Sequence, residues 1–342
     1  ATQSLHINQR DGANSDSSVW NNTTPTSSQF TVGTNNNVNQ SGHTYVAYIF
    51  AHDDAQYGTD ANQSLIKCGS YTTTGNGDPV TVNRGFEPQF LLIKSTAANR
   101  DWHIFDTMRG IASKRNDMPQ YPNKNYADAG LGNGNFLALT STGFTAIGGE
   151  INWYNAQETV VYMAIRRPHK PPTNGTEVFN TSLWAGTGSV VTTSTGFPVD
   201  LSFSNARDLP GDYPALNDRV RGSGIEFYAK GITQDSNIGA AGVQFDLSTG
   251  LEMQNYRSTT GYNYFSWNFK RAPGFFDIVA YDGSGSTTPH HHGLGVVPEL
   301  MLVKCRTNNE NWAVYAAPTG PTKTFRLNTT SEAITSSLFW ND

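Results

Sequence analysis

Apolar and polar positions along the chain fall into one arrangement that occurs three times. Residues 275–304 (FFDIVAYDGSGSTTPHHHGLGVVPELMLVK) give its clearest copy, and residues 65–94 (LIKCGSYTTTGNGDPVTVNRGFEPQFLLIK) an earlier one. A shorter copy, 178–203 (VFNTSLWAGTGSVVTTSTGFPVDLSF), lies between them. Each copy opens with a strand, passes a Gly-rich turn and a short second strand, then ends in a long apolar strand after a Gly-x-x-Pro or Gly-Phe-Pro turn. In QFLLIK and ELMLVK the apolar residues are nearly continuous, as in a strand buried within a sandwich. The glycines permit turns with positive φ, and the proline fixes φ at the strand entrance.

Copies one and three keep register at an offset of 210 residues: Tyr71 pairs with Tyr281, Gly85 with Gly295, Pro88 with Pro298, Lys94 with Lys304 and Trp102 with Trp312. The middle copy follows through Trp184, Gly188 and 196–198 but has no counterpart of Trp102. A second offset, of 320, relates 2–8 (TQSLHIN) to 322–328 (TKTFRLN) and Trp20-Asn21 to Trp340-Asn341.

These patterns predict an all-β protein made of tandem β-sandwich repeats of jelly-roll or lectin-like form. Residues 1–51 read as the closing part of a repeat, with strands at 2–8, 25–33 and 43–51. Residues 65–168 form repeat one, 177–273 repeat two, and 274–342 the opening part of a third. Polar 52–64 and proline-bearing 166–175 are the linkers, and the long polar stretch 111–133 is a surface loop. Because 275–342 lacks counterparts of 25–33 and 43–51, the two partial repeats are expected to complete one another. That completion is expected between chains, or within a longer array of which Ala1–Asp342 is a piece, rather than within one chain.

Composition agrees. Charged residues are only 15% and aromatics 12%, a mixture suited to short strands joined by polar turns. With a net charge of −5 and no Lys/Arg stripe, a nucleic-acid partner is disfavoured. No apolar run approaches the ~20 residues of a membrane helix, so no membrane insertion is expected. The cysteines, Cys68 and Cys305, occupy different repeat positions and read as unpaired thiols.

The combination of Tyr71–Gly77, Gly85–Lys94, Trp102–Phe105 and the F-W-N-D segment split between 327–342 and 21–28, closed by TYVAYIFA at 44–51, resembles a family of repeat domains in tailed-bacteriophage structural proteins. The resemblance implies a concanavalin-A-like or jelly-roll sandwich in a virion component such as a tail fibre, spike or capsid-surface fibre. Its partners would be other copies of the chain or other virion proteins, and its place the particle surface. It carries no catalytic motif.

Sites of chemistry are few. H-E-x-x-H, G-x-S-x-G, phosphate-loop and Cys-pair zinc patterns are absent. His290, His291 and His292 are adjacent, so on extended chain they point to alternate faces and suit a solvated turn better than one ion. Asp53-Asp54 could supply oxygen ligands to calcium. Asp218 and Arg221, echoed by Asp106 and Arg109, read as a surface pair or loop clamp. Expected, then, are no catalytic residues, no metal site and no cofactor, and a non-enzymatic structural or adhesive protein. A host-surface glycan would be met by loop aromatics such as Tyr121, Tyr126, Tyr213 and Tyr256. A polysaccharide depolymerase would need a carboxylate pair, for which Glu150 and Glu158 are the nearest candidates.

Overall fold

The structure is a computed structural model, and it describes residues 3–53, 57, 63–74, 78–97, 99–109, 111, 119–125, 136–147, 157–168 and 170–340. The chain forms two compact units, one from 1–106, 117–138 and 142–167, the other largely from 168–342. Both are almost wholly antiparallel β.

In the first unit a small N-terminal module precedes a sandwich. The module holds a two-stranded hairpin, β1 (Gln3–Ser4) and β2 (Asn14–Ser15), then short helices α1 (Ser17–Trp20) and α2 (Asn36–Asn39). Asp16 and Asn35 cap the helices by accepting the N–H of Ser18 and Asn37. The sandwich has β3 (Ile66–Thr72), β4 (Val80–Asn83), β5 (Pro88–Ser95), β6 (Trp102–Asp106), β7 (Leu137–Thr140), β8 (Gly143–Ala146) and β9 (Thr159–Arg166). One sheet is ordered β3-β9-β5-β6 and faces another ordered β4-β8-β7.

Alternation sets the faces. Val160, Tyr162 and Ala164 of β9 are buried, and so are Leu91 and Ile93 of the neighbouring β5. Phe144 from the opposite sheet meets Tyr162 edge-on at 5.5 Å and Tyr71 at 6.1 Å. Gly69 is required by this packing, since a Cβ there would lie 2.5 Å from the Tyr162 Oη.

The second unit repeats the plan with β10 (Phe179–Ala185), β11 (Val191–Ser194), β12 (Leu201–Ala206), β13 (Ala215–Asp218), β14 (Ile225–Tyr228), β15 (Ser236–Asn237), β16 (Val243–Gln244), β17 (Gly250–Met253) and β18 (Asn263–Phe269). Its large sheet is ordered β10-β18-β12-β13-β14-β15 and its small one β11-β17-β16. An apolar cluster of Trp184, Phe197, Val199, Val243, Phe245, Leu251, Met253 and Tyr264 fills one end.

Beyond it, a C-terminal module carries β19 (Leu300–Val303), β20 (Ala313–Ala316), β21 (Lys323–Thr324) and β22 (Ile334–Thr335). Both sequence offsets reappear in backbone pairing. Leu92 pairs with Ile104 as Leu302 pairs with Val314, and Gln3 pairs with Ser15 as Lys323 pairs with Thr335. Lys94 and Lys304 each donate from Nζ to the carbonyl of the next residue, and burial lowers both ammonium pKa values.

A bracket around the two tryptophans also recurs. Trp102 N–H donates to Asn123 Oδ1, and Asn123 Nδ2 to Asp101. Trp312 N–H donates to Asn328 Oδ1, and Asn328 Nδ2 to Asn311. The rings part company, however, and do not share one wall. Trp102 is half-buried and its Nε1 donates to the carbonyl of His6. Trp312 is buried against Phe227 and donates to the carbonyl of Tyr228.

Several expected strands are shorter or missing. Among the described residues 3–8 only Gln3–Ser4 pairs, and 25–33 forms no strand. Residues 43–51 join no sheet among the described residues, and every residue from 41 to 52 is exposed. Their strand character in sequence is real; what they lack is a partner. In the expected loop 111–133, Gln120 bridges to Ile104 and Tyr121 is buried as a lid against His103, while 112–118 and 126–133 lie outside the described residues.

Two outcomes follow. Trp312→Ala should destabilise the second unit by about 3–5 kcal/mol, the usual loss for a buried large aromatic, read from urea unfolding. Burial depresses His103 from an ordinary 6.5 to about 3. A histidine held neutral stabilises fully above pH 6.5 and loses that contribution as pH falls towards 3. Lowering pH from 7 to 5 should therefore cost the first unit about 2 kcal/mol, a dependence that His103→Phe would flatten.

Candidate functional site

Strand β12 reads LSFSNA and β18 reads NYFSWNF, so polar and aromatic residues alternate. Period two fixes the alternation but not which set faces inward. Here the polar set does: Ser202, Ser204, Ser266 and Asn268 are fully buried. Ser202 Oγ donates to Asn268 Oδ1, and Asn268 Nδ2 donates to Ser182 and Ser266. On the other face Trp267 meets Phe203 at 5.4 Å and Phe265 at 5.0 Å, both in tilted geometry.

This polar interior continues into four buried arginines. Arg219 donates to the carbonyls of Val199 and Phe245. Arg221 pairs with Asp218 and, at 3.1 Å, with Asp235, and lies 3.9 Å over the Phe227 ring. Arg271 lies between Asp200 and Asp277. The Asp218–Arg221 pair, expected as a surface pair or loop clamp, is thus buried and clamps β13 to the following loop. It is enclosed because Arg221 also reaches the carbonyl of Leu216.

Arg257, the fourth, underlies a surface where tyrosines gather. Its Nη1 donates to both Asp212 oxygens at 3.2 Å and its Nη2 to Glu226 Oε2 at 3.4 Å. Arg257 and Glu226 are both fully enclosed. The guanidinium lies 5.2 Å from the Tyr256 ring. Tyr256 Oη is 3.3 Å from Tyr228 Oη, and Tyr228 meets Tyr213 edge-on at 6.3 Å. Lys230 places its ammonium 4.6 Å over Tyr213. Burial, with the Glu226 carboxylate and Tyr256 hydroxyl beside it, raises the Tyr228 phenol far above its ordinary pKa, so it stays a neutral hydrogen-bonding group.

Three turns and strand ends converge to make this cluster. Tyr213 precedes β13, Tyr228 ends β14, and Tyr256 sits in the single 3-10 turn Asn255–Arg257. Tyr213 and Tyr256 are 41% and 48% exposed. Rings with an apolar body and a polar tip, beside an ammonium, can stack on a sugar face and bond its hydroxyls. Asp212 and Glu226 share one guanidinium beneath the cluster and do not face each other across an open groove.

The other candidates are dispersed. Tyr121 is buried in the first unit, while Tyr126, Glu150 and Asp54 lie outside the described residues. Asp53 is buried and accepts from the N–H groups of Leu65 and Ile66, which makes it a backbone clamp. Glu158 pairs with Arg100 at 2.6 Å and accepts from Ser95. His290, His291 and His292 are exposed, with His290 stacked on Tyr281 at 4.0 Å. Cys68 and Cys305 are free thiols. Among the described residues no group of three His, Cys, Asp or Glu side chains is placed to hold a metal ion. Tyr228 escaped notice in the sequence because it belongs to a strand, where an aromatic reads as core.

A family model described as a domain of unknown function (DUF7483) matches residues 1–168 and again 174–342. No curated protein and no solved structure matches the chain.

Removing the cation from beneath the tyrosines leaves Glu226 enclosed without its partner. Arg257→Met should cost about 3–5 kcal/mol in urea unfolding of the second unit, and adding Glu226→Gln should recover part of that loss.

Proposed function

The chain belongs to the DUF7483 domain family, carrying it twice, and from that repetition we propose a non-enzymatic structural and adhesive role on a bacteriophage particle. Tail fibre, spike and capsid-surface fibre are the forms in view. The observation that carries the proposal is the recurrence of one backbone register in two modules of the chain, Leu92–Ile104 and Leu302–Val314, with different side chains filling the interiors. Rigid repetition serves length and spacing, since each unit needs only its neighbours. The likeness of 21–51, 65–105 and 327–342 to phage structural repeats supplies the setting. Labelling intact particles with antibody against the chain should decorate their surface in electron micrographs. Particles that lack the chain altogether would sink the proposal.

A second reading, glycan recognition, is favoured by the cluster of Tyr213, Tyr228 and Tyr256 beside Lys230. On an array of bacterial surface glycans a binding signal should fall with Tyr256→Ala by about 2 kcal/mol or more, ~30-fold in Kd, as for an aromatic hot spot. Unchanged binding in that variant would place the contact elsewhere.

A further inference from the structure

Residues 44–51 (TYVAYIFA) form an apolar segment whose backbone makes no strand pairing among the described residues. Tyr45, Val46, Tyr48, Ile49 and Phe50 are 50–82% exposed. Separately, among the described residues β19 pairs only with β20. Its Met301 and Val303 are half-buried, whereas their counterparts Leu91 and Ile93 on β5 are fully covered; Leu300 and Leu302 are 62% and 44% exposed, whereas their counterparts Phe90 and Leu92 are half-buried. Nor do residues 278–281, which correspond to part of β3, belong to any strand.

The complete sandwiches show what is missing. In each, a closing strand lies between the opening strand and the long strand: β9 between β3 and β5, and β18 between β10 and β12. Ile165 faces Ile66 and Phe90, as Phe269 faces Phe179 and Leu201. This equates VVYMAIR at 160–166 with YFSWNFK at 264–270, and both align with YVAYIFA at 45–51. We propose that residues 44–51 of one copy insert between residues 276–281 and β19 of a second copy, completing its sheet as the central strand.

The register is fixed by transfer. Phe50 comes opposite Phe276 and Leu300, Tyr48 opposite Ile278 and Leu302, and Tyr45 opposite Tyr281 and Cys305. Tyr45, Ala47 and Ile49 then face inward, the positions held by Val160, Tyr162 and Ala164 in β9. Side-chain volume fits as well. In the first sandwich Tyr162 demands Gly69 opposite, where no Cβ has room. In the joined sheet those positions become Ala47 and Val279, small now on the donor and larger on the acceptor.

Size is sufficient. Three donor aromatics of about 150–250 Å² each, with the acceptor surface they cover, reach the ~1,000 Å² a specific interface requires. Residues 44–51 and the edge at 276–281 and β19 are different surfaces of the same chain. The contact is therefore heterologous, and chains add head to tail into a fibre or a closed ring.

The native Cys305 provides the test. Facing residues of an antiparallel pair have Cα atoms about 4.5–5.5 Å apart, within the span of a disulfide at about 4.4–6.8 Å. Tyr45→Cys, made in the full chain with Cys68→Ser, should give disulfide-linked dimers and larger species on mild oxidation. Val46→Cys, one residue out of register and on the other face, should cross-link at least ~10-fold less. Sedimentation velocity of the unaltered chain should show association that rises with concentration. Tyr48→Lys, on a segment outside either sandwich, should remain folded by circular dichroism and shift to monomer. An unaltered chain that is monomeric at every concentration would overturn the proposal. So would a disulfide formed only within single chains, and so would equal cross-linking from positions 45 and 46. Glycan binding and particle labelling are read separately, so failure here leaves those readings distinguishable.

Discussion

A central strand must find hydrogen-bond partners along both edges, and this requirement governs both sandwiches. In β9 and β18 the backbone is satisfied on two sides at once, by strands distant in sequence. Unpaired N–H and C=O groups within such a sheet would each forfeit the cost of their desolvation. Side chains are freer. The first sandwich puts Val160, Tyr162 and Ala164 on the inner face of its central strand, and the second puts Tyr264, Ser266 and Asn268 there. One backbone plan therefore tolerates an apolar interior and a largely polar one.

The polar interior of the second sandwich is tolerable because its charges are matched. Arg257 meets Asp212 and Glu226, Arg221 meets Asp218 and Asp235, and Arg271 meets Asp200. Ion pairs of this kind add little net stability over a well-packed apolar interior, but losing one member is costly. Their geometric effect is specific: each guanidinium joins a strand to a loop that local sequence would leave free. The loop bearing Tyr256 is held through Arg257, and the loop after β14 through Asp235, which also pairs with Arg306. Precision at the tyrosine cluster thus derives from the charges beneath it.

How much of this could be read from the residues divides along the same line. The all-β character, the 210-residue register and the recurrence of 2–8 at 322–328 all rest on strand pairing and turn chemistry, which act locally and leave a periodic mark. The facing of β12 does not. In LSFSNA the phenylalanine invites an inward reading, yet Ser202 and Ser204 are the buried positions, and Ser202 finds Asn268, itself bonded to Ser182, across the sheet. Likewise, Asp218 and Arg221 look like a surface pair until Asp235 and the Phe227 ring enclose them. Tyr213, Tyr228 and Tyr256 form one patch only after three separate turns converge. Such features depend on partners distant in sequence, and no window of the chain contains both halves.

The exposed segment 44–51 marks where local and global demands diverge most. Its pattern is that of a buried strand, but among the described residues no strand borders it. A free apolar strand is an invitation to indiscriminate pairing, which proteins ordinarily suppress with short edges, charges or proline. Here those safeguards are missing from 44–51 itself, and polar residues flank it instead: Gln40, Ser41 and His43 before, His52 and Asp53 after. Selectivity must then come from fit. A strand carrying alanine at 47 leaves space for Val279, whereas one carrying tyrosine at that position, as β9 does at 162, admits only glycine opposite. Steric exclusion of this kind discriminates between repeats that share one backbone register, because hydrogen bonding alone would accept any of them.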